Sequence, residues 1–257
     1  MRIKICFIAI LILAVLFSVP AYAQGSSWFV RREKDHVQPS VSGELERLLV
    51  DFDGYYVDKR CGTGADDKVI YLTFDAGYEN GNVSRILDVL REEKVHGAFF
   101  ILSHLVLSAP DVVKRIHSEG HLLCNHTAHH KDMTALSACE IEKEISSLGK
   151  TCQETLGLRL SPFFRPPEGK YDQKTLKIAK ELGYKTVFWS LAYADWNDDV
   201  APCDEKAIQL LKDNTHTGAI VLLHPTSDIN VRILKDMIHY WREQGYRFGS
   251  LEELKGE

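Results

Sequence analysis

Strand-like and helix-like segments alternate along most of this chain, and the alternation limits the folds that it can adopt. Short apolar runs rich in β-branched and aromatic residues predict strands at 69–74, 97–102, 121–125, 162–165, 185–190, 218–223 and 246–248. Apolar residues at three- and four-residue steps predict amphipathic helices between them, the clearest being the stripe Ile141, Ile145, Leu148, Cys152 and Leu156. The pattern predicts one α/β domain with parallel strands, in an open sheet or in a barrel.

Polar side chains suited to acid, base or metal chemistry follow the ends of five of these segments. They are Asp75, His126 with His130, Arg165, Asp195 and His224. In sheets built from alternating strands and helices, functional sites form at the carboxyl ends of the strands. We therefore expect these side chains to converge on one face of the domain, which predicts an enzyme.

The clearest metal signal is the segment His126-Thr127-Ala128-His129-His130, at the exit of a predicted strand. Its first and last imidazoles would lie one helical turn apart on one side, a spacing found in metal sites. A pair of solvated loop histidines is the alternative, since a bare H-x-x-x-H spacing is not specific. We favour metal ligands because other strand ends supply acids, and we expect His129 to point away. Asn125-His126-Thr127 also matches a glycosylation sequon, but a glycan there would block the site.

Two further strand ends carry charged residues with more than one interpretation. Asp75 precedes Ala76-Gly77, and the turn would leave its carboxylate exposed for catalysis, although an aspartate in such a turn is often only a backbone cap. Arg165 begins the stiff segment Arg165-Pro166-Pro167-Glu168-Gly169, where a fixed guanidinium can clamp a carboxylate or a substrate oxygen.

The last two strand ends add an acid, an aromatic ring and a histidine. Asp195-Trp196 pairs a carboxylate with a flat side chain suited to a sugar face, with core packing as the alternative for Trp196. His224 follows four apolar residues and could be a buried histidine with satisfied hydrogen bonds. Because it accompanies four other polar strand ends, we favour an acid–base role for His224.

The first 23 residues are typical of a secretory signal peptide. Arg2 and Lys4 precede an apolar run, and Ala21-Tyr22-Ala23 supplies a cleavage pattern. We expect export across the cytoplasmic membrane, with an uncleaved N-terminal anchor as the alternative.

The rest of the chain is expected to have three parts. Residues 24–66 form an accessory arm that packs on the main domain, 67–250, and residues 251–257 form a C-terminal tail.

The charge of the chain argues against some classes of partner. Its net charge is −5, and removal of Arg2 and Lys4 with the leader would make it more negative by two. An acidic exported protein is a poor candidate for binding nucleic acid or an anionic membrane.

The five cysteines after the leader have neither disulfide-framework nor zinc-finger spacing, so we expect mostly free, buried thiols.

Taken together and in chain order, these motifs resemble the NodB-type polysaccharide deacetylases, carbohydrate esterase family 4. They are Thr73-Phe74-Asp75-Ala76-Gly77, His126-Thr127-Ala128-His129-His130, Arg165-Pro166-Pro167-Glu168-Gly169, Asp195-Trp196 and Leu222-Leu223-His224. The segments Asp75-Ala76-Gly77-Tyr78-Glu79-Asn80-Gly81, Trp189-Ser190-Leu191-Ala192 and Leu223-His224-Pro225-Thr226-Ser227 resemble one subgroup. That subgroup is the muramic-acid de-N-acetylases of spore-cortex δ-lactam synthesis.

The resemblance implies a fold, a reaction and a role for each residue. The family fold is a distorted (β/α) barrel, and the reaction is hydrolysis of acetamide groups on a glycan. Asp75 would be the general base and His224 the general acid, with Arg165 and Asp195 orienting them. His126 and His130 would hold a divalent metal, most often zinc, and the backbone N–H of Glu168 would stabilise an oxyanion. Trp196, Tyr193 and Leu222 would wall the sugar groove.

The chain departs from the family pattern at two positions. Ala76 stands where most members have an aspartate that ligates the metal, and Ala192 stands where many have a second acid of the Asp195 loop. Loss of a carboxylate ligand predicts a lower metal affinity, with either a weak, substrate-assisted metal site or a mechanism with little metal dependence. The muramic-acid subgroup departs at both positions, so the resemblance implies N-acetylmuramic acid freed of its stem peptide as substrate, in functional coupling with a peptidoglycan amidase.

Two other functions fit the same motifs. An N-acetylglucosamine or chitin deacetylase would use the same chemistry on a neighbouring sugar. An inactive carbohydrate-binding protein would keep the groove without the reaction, although a binder has no need of a base and an acid together. A zinc peptidase is disfavoured because no glutamate of the H-E-x-x-H type lies between the histidines.

Overall fold

The computed structural model describes residues 25–62, 67–197 and 199–254. The predicted leader, residues 1–23, lies outside the described residues. In chain order the elements are β1 (Ser26–Ser27), α1 (Gly43–Asp51), β2 (Gly54–Tyr55), β3 (Val69–Ala76), α2 (Asn82–Glu93), β4 (Ala98–Ile101), α3 (Ser103–Ser108), α4 (Pro110–Ser118), β5 (Leu122–Asn125), α5 (Ala138–Leu156), β6 (Phe163–Phe164), β7 (Lys170–Tyr171), α6 (Gln173–Glu181), β8 (Lys185–Val187), α7 (Asp204–Asn214), β9 (Ala219–Leu223), α8 (Asp228–Glu243) and β10 (Arg247–Phe248). No helix within these ranges is both long enough and apolar enough to cross a bilayer.

The main sheet is parallel and curls into a distorted barrel, as predicted. Its strands run in the order β10-β3-β4-β5-β6-β8-β2, and β9 pairs with β3. After β8 the chain crosses toward β9, where Leu191 forms an isolated parallel bridge with Val221. This bridge links the segment after β8 to β9. The carboxyl ends of the strands therefore surround one end of the barrel, called the mouth below.

Alternation along β3 separates the barrel interior from the layer of helices. Tyr71 packs with residues from β4, β5, β6, β8 and β9 in the interior cluster. Ile70, Leu72 and Phe74 point the other way and pack against α2 and α8. Because side chains alternate along a strand, Asp75 follows Tyr71 and Thr73 on the interior face and reaches the mouth.

Local sequence signals account for the boundaries of the longer helices. Ser42 caps α1 by accepting from the N–H of Leu45. Ser137 and Glu140 form a capping box at the start of α5, and Gly157 ends α5 with a left-handed φ of 71°. The helix α3 has only six residues, and α7 buries only Ala207 and Leu211, so neither has a strong apolar stripe in the sequence.

The arm packs on the barrel and extends its sheets. β2 pairs in parallel with β8, and β1 pairs antiparallel with β7. Trp28 anchors the arm: its ring stacks on Phe188 at 4.2 Å between centroids, and its Nε1 donates to the Trp189 carbonyl over 2.9 Å. The arm is thus part of the packed structure.

The structure also bears on two smaller predictions, the C-terminal tail and the free thiols. Leu251 and Leu254 are buried, so the packed domain continues through the first half of the segment predicted as a tail. The five cysteines within the described residues are all free. Cys61, Cys124 and Cys152 are buried, and Cys139 and Cys203 are exposed.

Replacement of Trp28 by alanine (Trp28→Ala) should lower the free energy of unfolding by about 3 kcal/mol, because it removes a buried aromatic ring and its stacking contact with Phe188. Urea denaturation followed by fluorescence or circular dichroism measures the change. Phe29→Ala is the matched control, since the neighbouring Phe29 side chain is 77% exposed and its loss should change stability by less than about 0.5 kcal/mol. Equal effects of the two variants would contradict the anchoring role of Trp28.

Candidate active site

A groove of about 1000 Å³ opens at the mouth of the barrel, at the carboxyl ends of the strands. Eight of the predicted site residues line it, and they are Asp75, His126, His130, Glu168, Tyr193, Trp196, Leu222 and His224. Two others, Arg165 and Asp195, are buried directly beneath the lining residues. The predicted convergence on one face is therefore found in the structure.

Arg165 is the centre of the hydrogen-bond network below the groove. Its side chain is completely buried, and its Nη1 donates to Asp75 Oδ1 over 2.7 Å. Nη2 donates to Thr73 Oγ1 over 2.9 Å and to the Phe188 carbonyl over 3.2 Å, while Nε donates to the Val187 carbonyl over 2.9 Å. Of the two interpretations from sequence, the structure selects the clamp on a carboxylate, and the carboxylate is Asp75.

This network holds Asp75 in its charged form. Burial alone would raise the pKa of Asp75, but the Arg165 guanidinium, followed by His126 and His224, lowers it below the ordinary value. The carboxylate therefore remains ionised at neutral pH. Its second oxygen, Oδ2, lies 3.5 Å from His126 Nε2 at the wall of the groove, so the side chain is fixed but still reaches the cavity.

His126 and His130 come together in a loop and not on a helix, which differs from the expected helical spacing. Their ring centroids lie 5.0 Å apart. Thr127 and His130 have left-handed φ angles of 73° and 56°, unusual for residues with a Cβ. Asn125 Oδ1 accepts from the Thr127 N–H, and Thr127 Oγ1 accepts from the His130 N–H, so buried polar groups hold this loop conformation.

The neighbours of the pair have structural roles. His129 points away, as expected, with its N–H and its Nδ1 on the Glu144 carboxylate at 3.0 Å. Asn125 is fully buried, and its Nδ2 donates to the Ile145 carbonyl over 2.8 Å. A buried, hydrogen-bonded amide is not accessible for glycosylation, in agreement with the sequence analysis.

The imidazoles have the chemistry of metal ligands, but the donor set is small. His126 Nδ1 lies 2.8 Å from the Arg165 carbonyl, which can only accept, so Nδ1 carries the proton and Nε2 keeps a free lone pair. Burial lowers the pKa of His126 to about 4, so the ring is neutral. The described parts of the chain hold no cluster of three or more His, Cys, Asp or Glu side chains suited to a metal ion. The donors that His126 and His130 offer to a cation are therefore imidazole nitrogens.

A second buried carboxylate positions the other candidate catalytic group. Asp195 Oδ1 lies 2.7 Å from His224 Nδ1, and Asp195 Oδ2 accepts from the His224 backbone N–H over 2.8 Å. Asn230, from α8, donates to Asp195 Oδ2 over 2.6 Å and to the His224 carbonyl over 2.9 Å. The imidazole is thereby oriented with Nδ1 on the carboxylate and Nε2 free to act.

Asp195 also sets the charge of His224. Burial alone would lower the pKa of this imidazole, but the hydrogen bond and the charge of Asp195, with a contribution from Asp75, raise it above the ordinary value. His224 is therefore protonated over a wider pH range than a free histidine. One groove thus contains an ionised carboxylate and a histidine that tends to keep its proton, as a general base and a general acid require.

The predicted sugar-binding residues surround this pair in different ways. Trp196 is 65% exposed, and its ring meets the His224 ring edge-on at 6.2 Å, so the core-packing alternative for Trp196 is wrong. Tyr193 and Leu222 are buried in the wall, and the Tyr193 hydroxyl donates to Asn230 Oδ1 over 2.6 Å. Glu168 has a left-handed φ of 56°, and its carboxylate pairs with Lys170 Nζ at 2.9 Å.

Sequence reasoning missed two residues of the site. Asn230 lies on the buried stripe of α8 with Leu234, Met237 and Trp241, and a polar residue in such a stripe is a signal that could have been noticed. Arg32, on the arm, lines the groove together with Trp189. No local pattern identifies Arg32, because its place depends on how the arm docks.

The chain belongs to the polysaccharide deacetylase family, which matches residues 62–187. It is 37% identical over 231 residues to the peptidoglycan-N-acetylmuramic acid deacetylase PdaA of Bacillus subtilis, covering 90% of this chain and 86% of the relative. The solved structure of that family 4 carbohydrate esterase superposes with a TM-score of 0.84 at 36% identity, over 90% of this chain and 97% of the other.

Two further relatives show the breadth of the similarity. A family 4 carbohydrate esterase from Bacillus anthracis superposes with a TM-score of 0.73 at 34% identity, over 90% of this chain and 96% of the other. A peptidoglycan-N-acetylglucosamine deacetylase of Bacillus cereus is 33% identical over 192 residues, covering 74% of this chain and 89% of the relative. The predicted family and barrel are confirmed.

Replacement of Asp195 by asparagine (Asp195→Asn) should lower the pKa of His224, because burial then acts without the opposing charge. The imidazole would lose its proton at a lower pH than in the wild type. NMR titration of the His224 ring resonances measures this shift directly. Asp199→Asn is the control, since Asp199 is exposed in the same loop, and its loss should leave the titration unchanged. An unchanged pKa in the Asp195→Asn variant would contradict the role assigned to Asp195.

Proposed function

We propose that this protein hydrolyses the acetamide group of N-acetylmuramic acid in peptidoglycan strands freed of their stem peptides. The observation that carries the proposal is the pair of charged groups in one groove. Asp75 is held ionised by Arg165, and His224 is held by Asp195 in the form that can donate a proton. A binding protein gains nothing from either arrangement, which favours an enzyme over a carbohydrate-binding module.

The arrangement supports a two-stage hydrolysis. Asp75 accepts a proton from a water molecule as the water oxygen bonds to the acetamide carbonyl carbon. The resulting oxyanion needs a hydrogen-bond donor, and the backbone N–H of Glu168, in its strained turn at the groove, is the proposed one. His224 then protonates the amide nitrogen, the C–N bond breaks, and acetate and the free amine of the sugar leave.

A divalent cation, most often zinc in this family, would be held by His126 and His130. Bound there, it would supply Lewis acidity toward the acetamide carbonyl. The hydrogen bond from His126 Nδ1 to the Arg165 carbonyl orients this ligand, so the same arginine segment serves the base and the metal ligand. Because Ala76 provides no carboxylate, we propose that the cation binds weakly and is completed by water or substrate oxygens.

The similarity to PdaA supports muramic acid over glucosamine as the reacting sugar. That relative covers 90% of this chain, whereas the N-acetylglucosamine deacetylase of Bacillus cereus covers 74%. We further propose that the protein acts outside the cytoplasmic membrane, where its substrate lies, after an amidase has removed the stem peptides. The leader-like residues 1–23 support export, and sporulation is the proposed setting because the muramic-acid subgroup acts in cortex synthesis.

The substrate proposal is tested by mass spectrometry of glycan strands that an amidase has stripped of stem peptides. Incubation with the protein and a divalent metal should remove acetyl from muramic acid residues and leave glucosamine residues acetylated. The matched control is Asp75→Asn, which keeps the shape of the base but cannot accept the proton and should leave the strands unchanged. Deacetylation of glucosamine alone would support the other sugar, and no reaction with folded protein would support the binding module.

The weakness of the metal site is tested by titration calorimetry with zinc. Wild-type protein should bind weakly, and Ala76→Asp should bind at least about 10-fold more tightly, because even partners outside the ligand sphere change metal affinity by about 10- to 100-fold. Ala76 is fully buried, so circular dichroism must confirm that the variant is folded. His130→Ala is the control that should abolish binding. Tight zinc binding by the wild type would contradict the two-ligand site.

A further inference from the structure

The N-terminal arm brings a permanent cation into the groove. Arg32 lines the cavity, and its Nη2 donates to the Ala192 carbonyl over 3.0 Å. Ala192 lies three residues before Asp195, in the loop that also presents Tyr193 and Trp196. Arg32 is the single lysine or arginine among the described residues that line this groove, and within the described part of the chain it takes part in no ion pair.

The backbone around Arg32 is fixed on both sides. On one side, the Trp28 N–H donates to the Gly169 carbonyl over 2.9 Å, and the Trp28 ring stacks on Phe188. On the other, Arg31 and Ser40 form an antiparallel bridge. Gln38 Nε2 donates to the carbonyls of Asp58 and Thr217, at 2.8 and 2.9 Å. The guanidinium is therefore presented by an anchored segment and not by a free tail.

The carboxylates of the groove are already matched by other cations. Asp75 pairs with Arg165 at 2.7 Å, and Glu168 pairs with Lys170 at 2.9 Å. Arg31, next to Arg32, has its own acidic partner in Glu33 at 3.7 Å. The unmatched positive charge of Arg32 thus faces the cavity, and an anionic group on the substrate would neutralise it.

We propose that Arg32 determines specificity by binding the carboxylate of the lactyl ether of muramic acid. This inference rests on the proposed function. The lactyl ether is on C3 of the sugar, next to the C2 acetamide that reacts, so its carboxylate must lie in the same groove as Asp75 and His224. Glucosamine has a hydroxyl at C3 and offers no anion. A stem peptide converts the carboxylate to a neutral amide, so the contact also selects strands that have been stripped.

The geometry of the Arg32 guanidinium is suited to binding a carboxylate. One Nη2 hydrogen is occupied by the Ala192 carbonyl, which fixes the plane of the group and leaves other N–H donors for a carboxylate. A hydrogen bond between charged groups and a planar, two-point contact discriminate more strongly than a point charge. Loss of such a contact is expected to cost about 10- to 100-fold in kcat/KM on the acidic substrate.

The test compares two substrates, one with a charged and one with a neutral lactyl group. They are stripped muramic-acid oligosaccharide with the free lactyl carboxylate, and the same oligosaccharide with that carboxylate as its methyl ester. The proteins are the full-length wild type, Arg32→Gln, Arg32→Lys and the matched control Arg31→Gln, each checked by thermal unfolding. Steady-state deacetylation gives kcat/KM for every combination, and an N-acetylglucosamine oligosaccharide is included as a third substrate.

The inference predicts an effect that depends on both the residue and the substrate charge. Arg32→Gln should lose about 10- to 100-fold in kcat/KM on the acid and change little on the ester. Arg32→Lys should recover part of the loss, and Arg31→Gln should behave as wild type. The wild-type preference for the acid over the ester should also shrink as salt is added, because an exposed charge pair is screened.

Other outcomes overturn the inference, and they distinguish its failure from that of the proposed function. Equal losses on acid and ester would give Arg32 only a structural role. Equal kcat/KM of the wild type on acid and ester would remove charge recognition altogether while leaving muramic acid as the substrate. Reaction of the wild type with N-acetylglucosamine but not with N-acetylmuramic acid would overturn the proposed function, and the inference with it.

Discussion

The buried guanidinium of Arg165 is the interaction on which the site depends. It lies inside the barrel, and its donors reach Asp75 and Thr73 on β3 and the carbonyls of Val187 and Phe188 at the end of β8. A charge removed from water is strongly unfavourable unless its donors are all matched and a counter-charge is close. Arg165 makes four hydrogen bonds and has the Asp75 carboxylate at 2.7 Å, so the same side chain fixes the candidate base and links β3 to the end of β8.

In both candidate catalytic groups, a neighbouring residue of opposite charge sets the protonation state. A fixed cation beside Asp75 favours the ionised carboxylate, and a fixed carboxylate beside His224 favours the protonated imidazole. Burial alone would push both pKa values the other way, so the buried partner decides each of them. Two titratable groups whose environments separate their pKa values in this way are suited to paired acid and base roles. The exposed Trp196 leaves the groove open to an extended glycan.

The sequence predicted the longer elements and the residues at strand ends, because hydrophobic periodicity and turn chemistry are local. It placed a strand at 185–190, but β8 ends at Val187, since the carbonyls that follow bind Arg165 and Trp28 instead of a neighbouring strand. The strands β1, β2 and β7 have two residues each and carry no periodic signal. Asn230 left a signal as a polar residue in the buried stripe of α8, but its partners depend on how α8 docks. Arg32 left no signal, because only the docking of the arm brings it to the groove.

In the proposed reaction, Asp75 acts as the base while His224 acts as the acid. The most direct test is the pH dependence of kcat/KM for deacetylation of a stripped muramic-acid oligosaccharide. Because Asp195 raises the pKa of His224 above its ordinary value, the fall of activity on the alkaline side should come at a higher pH than a free histidine would give, as the imidazole loses its proton. Activity that instead rises as His224 loses its proton would make the histidine the base and contradict the account.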